Sequence, residues 1–245
     1  MIASLPMYDR PELVAETDRY WAAIRAAAGT ESPAKLDRRA DLWAVWTAPD
    51  LFLSQTCGLP YRSRLHGKVR LVATPDYGLE GCPPGFYRSV IVVRADDPAH
   101  VVADLHHKRM AINDEMSQSG WAGPVHHMRQ ARAAPGTTII TGGHAASALA
   151  VAEGKADFAG IDALTWEFLC RFDTATERLR VLDATDPTPA LPYITSLAQD
   201  ADALGDAVAS AIDSLSDADR RALHIQGVVR IPSRTYLAVP TPPNQ

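Results

Sequence analysis

The stretch Met110-Ala111-Ile112-Asn113-Asp114-Glu115-Met116-Ser117-Gln118-Ser119-Gly120 decides how this chain reads. Met110 to Asn113 has the length and apolar character of a short buried strand. After a turn, Ser117-Gln118-Ser119-Gly120 leads into residues 121–130, which continue as a helix. The first backbone N–H groups of a helix have no partner within it, and the aligned peptide dipoles place partial positive charge there. A strand ending in small hydroxyl residues that open a helix is therefore suited to holding an anion. Two Ser hydroxyls and the Gln118 amide add side-chain donors. Ser is also a common plain helix cap, so the motif alone decides little.

The same kind of junction recurs on both sides of it. Tyr8 follows a strand over residues 2–7. Ser54-Gln55-Thr56 ends a strand begun at Leu51. Gly142-Gly143-His144 opens a helix over 144–153. Gly160-Ile161-Asp162 offers an acceptor instead of donors, and Asp162 reads equally well as an N-cap. Each junction has a structural explanation of its own: a tight glycine turn, a cap, or core packing for Tyr8 and Tyr87. Their recurrence at the carboxyl ends of successive strands describes a binding site.

The rest of the chain supplies the frame. Asp9-Arg10-Pro11-Glu12 reads as a capping carboxylate, an early Pro and an acidic first turn, opening a helix that ends at Gly29. Leu13, Val14, Tyr20, Trp21, Ile24 and Ala28 mark its buried face. Strands at 51–53, 69–73, 88–94, 110–113, 138–140, 157–160 and 178–182 alternate with helices at 39–47, 118–132, 144–153, 163–171 and 200–214. This alternation predicts an α/β fold of mainly parallel sheets flanked by helices. Segments 87–95 and 185–194 read as crossovers. They predict two lobes, one from 1–90 with 192–245 and one from 91–191, with ligand held in the cleft between them.

Composition excludes several classes. The chain has 245 residues, 47% hydrophobic and 22% charged, with a formal net charge of −5. Nothing in it forms the basic footprint of a nucleic-acid binder, and no apolar run of about 18 residues implies membrane insertion. No G-x-G-x-x-G, Walker or G-x-S-x-G pattern occurs, so no cofactor and no catalytic residue is expected. The adjacent pairs His106-His107 and His126-His127 do not face the same way, and no metal is expected. Cys57 and Cys82 lie in loop-like contexts and are read either as a disulfide or as two buried thiols; Cys170 reads as a helix core residue. The first seven residues lack the charged start and apolar segment of a secretory signal. That predicts a cytoplasmic protein, or a periplasmic one from which a leader has been removed.

Three segments also carry a resemblance. Tyr87-Arg88-Ser89-Val90, then Asn113 to Gly120, then Gly143 to Val151 followed by Ala156-Asp157-Phe158-Ala159 resemble the phosphate- and phosphonate-binding proteins of ABC transporters. The resemblance implies a type 2 periplasmic-binding-protein fold with two lobes and a hinge. It implies that Ser117, Gln118 and Ser119 meet the oxygens of a small phosphate-like oxyanion, with His144 beside them and with Tyr8 and Tyr87 as ligand-facing aromatics. It also implies an ABC permease as partner and no enzymatic activity. Ser54, Gln55, Thr56 and Asp162 complete the expected ligand set. Members that bind aminoalkyl phosphonates carry acidic groups where this chain has Leu164 and, further on, Leu191-Pro192, which points away from amine-bearing ligands. The alternative reading is a cytosolic biosynthetic enzyme of the menaquinone- or thiamine-precursor type, or a cytosolic ligand sensor, on the same fold.

Overall fold

A computed structural model describes residues 1–29 and 31–242; residues 243–245, read from sequence as the end of the first lobe, lie outside the described residues. The strands are β1 (Ile2–Ser4), β2 (Leu51–Gln55), β3 (Val69–Asp76), β4 (Phe86–Tyr87), β5 (Ser89–Arg94), β6 (Met110–Ile112), β7 (Thr138–Ile140), β8 (Phe158–Asp162), β9 (Leu179–Ala184), β10 (Thr188–Pro189), β11 (Tyr193–Ser196) and β12 (Gly227–Val229). They fall into two compact units. One comprises Met1–Phe86 and Pro189–Ala238; the other is built on Tyr87–Thr188. The chain passes between the units inside β4 and β10, which pair with each other.

The first unit carries a sheet in the order β1-β2-β11-β3-β12. The second carries a sheet in the order β7-β6-β8-β5-β9. Both are mixed, where the alternation predicts mainly parallel sheets. Strands joined through helices, β1 with β2 and β6 with β7 and β8, do run parallel. In contrast, β11 runs against β2 and β3, and β5 runs against β8 and β9. A helical crossover makes its two strands parallel. A strand that enters from the other unit has no such crossover to obey, and β5 and β11 are those strands.

Alternation along the second sheet explains why its strands read as nearly continuous apolar runs. Ile91, Val93, Met110, Ile112 and Phe158 pack into one buried cluster with Val125 and Met128. Val92, Ala111, Ala159 and Ile161 pack into another with Ala148 and Val151. Both faces of the sheet are thus covered by helices, and its strand ends remain as the place where polar residues can gather.

Several local expectations change. The helix Val14–Ala28 is preceded by a 3-10 turn, Pro11–Leu13, whose N-cap is Arg10 with no side-chain cap. Asp9 pairs with Arg38 instead, because a guanidinium competes for the carboxylate more strongly than backbone N–H groups do. On that helix Thr17 takes a buried place and Val14 is exposed. Cys57 and Cys82 are both thiols rather than a disulfide. Cys57 leads into the turn Gly58–Pro60, while Cys82 closes a separate turn on the Leu79 carbonyl. Cys170 is exposed, since Leu164, Phe168 and Leu169 form the buried side of its helix.

Candidate functional site

The segment after β6 folds back as the sequence implies. Ser117 is the N-cap, and its hydroxyl accepts the Gly120 N–H at 2.9 Å. The first turn is wide: Ala122 N–H reaches the Ser117 carbonyl at 3.0 Å, five residues back. Such π-type turns often mark functional sites. The regular helix Gly123–Gln130 follows. Ser117, Gln118 and Ser119 are all buried.

Two neighbours press on this turn. A Cβ added at Gly120 would stand 1.7 Å from Asn113 Oδ1 and 3.2 Å from His144 Cε1. Only glycine leaves room for both. Asn113 Oδ1 is buried with no hydrogen-bond partner. From β8, Gly160 brings its backbone against the Pro124 ring and the Ser119 carbonyl.

His144 begins the helix His144–Ala152. The loop before it is tied to the end of β6. Thr141 N–H and Oγ1 both donate to the Ile112 carbonyl, and Gly142, at φ +86°, donates its N–H to the Asn113 carbonyl. Thr141 Oγ1 also meets Ser147 Oγ at 2.6 Å. These bonds aim the imidazole so that Nε2 lies 3.0 Å from Ser119 Oγ. The residue keeps partial exposure, yet its Nδ1 is buried and has no hydrogen-bond partner of good geometry. Burial lowers its pKa to about 4, with the Gly160 carbonyl opposing. The ring is therefore neutral near pH 7 and acts as a hydrogen-bonding group, not as a charge.

The unfolded ring takes up a proton at pH 6.5, the folded one only near 4. The contribution to stability is present above pH 6.5 and is lost as pH falls toward 4. Partial exposure discounts it to about 2 kcal/mol. Unfolding of wild type and His144→Asn at pH 7 and pH 4.5 should show a steeper loss in the wild type. Equal losses would place the ring in water.

Asp162 is 2% exposed and caps the helix Ala163–Phe172, accepting the Thr165 N–H at 2.9 Å. The structure thus gives this carboxylate a cap role. Tyr87 is 1% exposed. Leu164 is buried where amine-binding relatives were expected to carry an acid.

The expected residues of the first unit divide. Ser54 and Thr56 are fully buried, and Ser54 Oγ has no hydrogen-bond partner. Gln55 Nε2 donates to Tyr77 OH and to the Leu191 carbonyl, so both amide hydrogens are committed. Tyr8 is half-buried and packs edge-on against Tyr77, ring centroids 5.1 Å apart. Tyr8, Gln55 and Tyr77 line a small hollow with Thr17, Tyr20 and Tyr193. The Tyr20 and Tyr193 hydroxyls meet at 3.0 Å, and burial raises both phenols so that they stay protonated. Sequence reasoning passed over Tyr77 and Asn113 as contributors. Tyr77 lies in an irregular stretch, but Asn113 stands at a strand end and carried a readable signal.

Among the described residues no group of three or more His, Cys, Asp or Glu could hold a metal, and no helix is long and apolar enough to cross a membrane.

Residues 53–232 match the family model described as the periplasmic substrate-binding protein of phosphonate ABC transporters. No curated protein matches the sequence. The fold is similar to that of PhnD1 from Prochlorococcus marinus, solved in complex with methylphosphonate, at a TM-score of 0.75 and 17% identity over 96% of this chain and 93% of that one. It is also similar to a Xanthomonas citri protein bound to ATP, with a TM-score of 0.70 and 14% identity over 97% and 94%. A third likeness is to a binding-protein component of an ABC phosphonate transporter from Pseudomonas aeruginosa, with a TM-score of 0.66 and 14% identity over 91% and 77%. At these identities the structural likenesses establish the two-lobed periplasmic-binding-protein fold.

Proposed function

The chain belongs to the family of periplasmic substrate-binding proteins of phosphonate ABC transporters, and from that premise we propose that it captures a small phosphonate or phosphite through Ser117, Gln118, Ser119 and His144. The family is one of binding proteins, so the enzyme alternative is not favoured, and its periplasmic description does not support a cytoplasmic placement. The observation that carries the proposal is the Ser119–His144 contact at the mouth of a helix whose first turn is widened and glycine-lined. Helix N–H groups donate and a hydroxyl can donate, an ionised oxyanion oxygen accepts, and neither donor needs a formal positive charge.

The ligand class follows from what surrounds these donors. Leu164 supplies no carboxylate, and Asp162 is engaged as a cap. An ammonium group would lose water there without the carboxylate expected at this position in amine-binding relatives. Methylphosphonate and phosphite fit this set better than 2-aminoethylphosphonate. Delivery to an ABC permease is the proposed next step.

Titration calorimetry on ligand-stripped protein tests this with phosphate, phosphite, methylphosphonate and 2-aminoethylphosphonate. The expected result is heat with phosphite or methylphosphonate and binding of the aminoalkyl compound weaker by about tenfold, the cost of a poorly paired charge. Absence of heat with all four compounds would overturn the ligand class.

A further inference from the structure

This inference rests on the reading above, that the turn after β6 holds an oxyanion. The helix N–H groups, the Ser hydroxyls and the Gln118 amide can all donate there. One neighbour offers the opposite. Asn113 directly follows β6 and lies between that turn and the loop before His144. Its carbonyl accepts the Gly142 N–H at 3.1 Å, which ties it to that loop. Its side-chain Oδ1 lies against Gly120, where an added Cβ would stand 1.7 Å from Oδ1 and 3.2 Å from His144 Cε1. Oδ1 is buried and has no hydrogen-bond partner among the described residues. An acceptor left unpaired in this way carries a desolvation cost, and nearly all buried polar groups find a partner. Asp162, the nearby carboxylate of β8, already accepts the Thr165 N–H as a helix cap. A free acceptor thus stands beside a set of donors.

We propose that Asn113 Oδ1 accepts a hydrogen bond from the P–OH group of a singly ionised oxyanion, which makes Asn113 a specificity-determining residue of this site. A methylphosphonate or phosphite monoanion carries ionised oxygens that only accept and one hydroxyl that can donate. The donors at Ser117, Gln118 and Ser119 suit the first kind, and Oδ1 suits the second. The terminal torsion of an Asn side chain is broad, so Oδ1 can turn from Gly120 toward a ligand hydroxyl while the strand end stays in place. A sulfonate has the same tetrahedral centre, three oxygens and single charge, but no hydroxyl. Facing it, Oδ1 meets only lone pairs. Donors alone would treat the two monoanions alike. An acceptor separates them, because a site that pairs a ligand hydroxyl leaves a polar group unpaired when that hydroxyl is missing.

Calorimetry with methylphosphonate and methanesulfonate, at a pH below the second ionisation of the phosphonate, isolates that proton. Both ligands are then monoanions bearing one methyl group. Wild type is expected to bind methylphosphonate at least about tenfold more tightly, the worth of one hydrogen bond to a charged ligand. Asn113→Leu keeps the approximate shape of the side chain and removes the acceptor. It should bring the two affinities to within about threefold of each other, chiefly by weakening the phosphonate. Asn113→Asp keeps an acceptor, and its negative charge opposes both monoanions alike. Its ratio should therefore stay at about tenfold or more, a readout that holds even where the Leu variant fails to fold. Equal affinities in wild type, an unchanged ratio in Asn113→Leu, or equal affinities in Asn113→Asp would overturn the inference and leave oxyanion binding intact. A wild type that gives no heat with any of the four oxyanions tested above overturns the binding reading, and this inference with it.

Discussion

Gly160→Ala should lower the thermal midpoint of the protein by about 5–10 °C, which corresponds to about 2–3 kcal/mol for a chain of this size. The reason is rigid crowding. The new Cβ would lie 2.2 Å from Pro124 Cγ and 3.0 Å from both Pro124 Cβ and the Ser119 carbonyl oxygen. A flexible side chain could swing aside, but a pyrrolidine ring and a backbone carbonyl move only with the chain that carries them. Relief therefore requires the turn over 118–124 to shift off β8, and Ser119 moves with it. Differential scanning calorimetry or hydrogen exchange of the β6 and β8 amides reads the loss. A midpoint within about 1 °C of wild type would mean that the helix does not sit on Gly160 as described.

Ser119→Ala should act on binding more than on the fold. A hydrogen bond to a charged group contributes about 1.5–3 kcal/mol, so affinity for methylphosphonate or phosphite should fall about 10- to 100-fold. The fold keeps its helix, because the cap belongs to Ser117 and not to Ser119. The variant does leave His144 Nε2 without its 3.0 Å partner, at a cost of about 1 kcal/mol in stability. Calorimetry beside a thermal melt separates the two effects. Affinity within twofold of wild type would remove Ser119 from the ligand set.

Much of this was legible in advance. The strand at Met110, the Ser117 cap and the helix at His144 follow from apolar run length and capping chemistry, which act over a few residues. The use of Ser117 as a cap and of Asp162 as another is local too: each accepts an N–H three residues on. Local chemistry could not settle which polar groups remain available. Gln55 looks like a donor set at a strand end, yet its amide is consumed by Tyr77 and by the carbonyl of Leu191, 136 positions away. Asp9 looks like a cap until Arg38 competes for it. The direction of β5 was illegible for a similar reason, since the strand takes its course from the passage between units and not from a neighbouring helix.

The sequence by itself therefore determined the alternation of strands and helices, the helix starts and the hydroxyl-rich turn after β6, because periodicity and capping are properties of neighbouring residues. Tertiary structure alone decided that Asn113, Gly120 and His144 converge, and that Ser119 faces an imidazole. The order β7-β6-β8 sets these strand ends side by side, so residues from separate turns close on one another. The missing Cβ at Gly120 is what allows that approach, and no local pattern reports which distant atoms will fill the space it leaves.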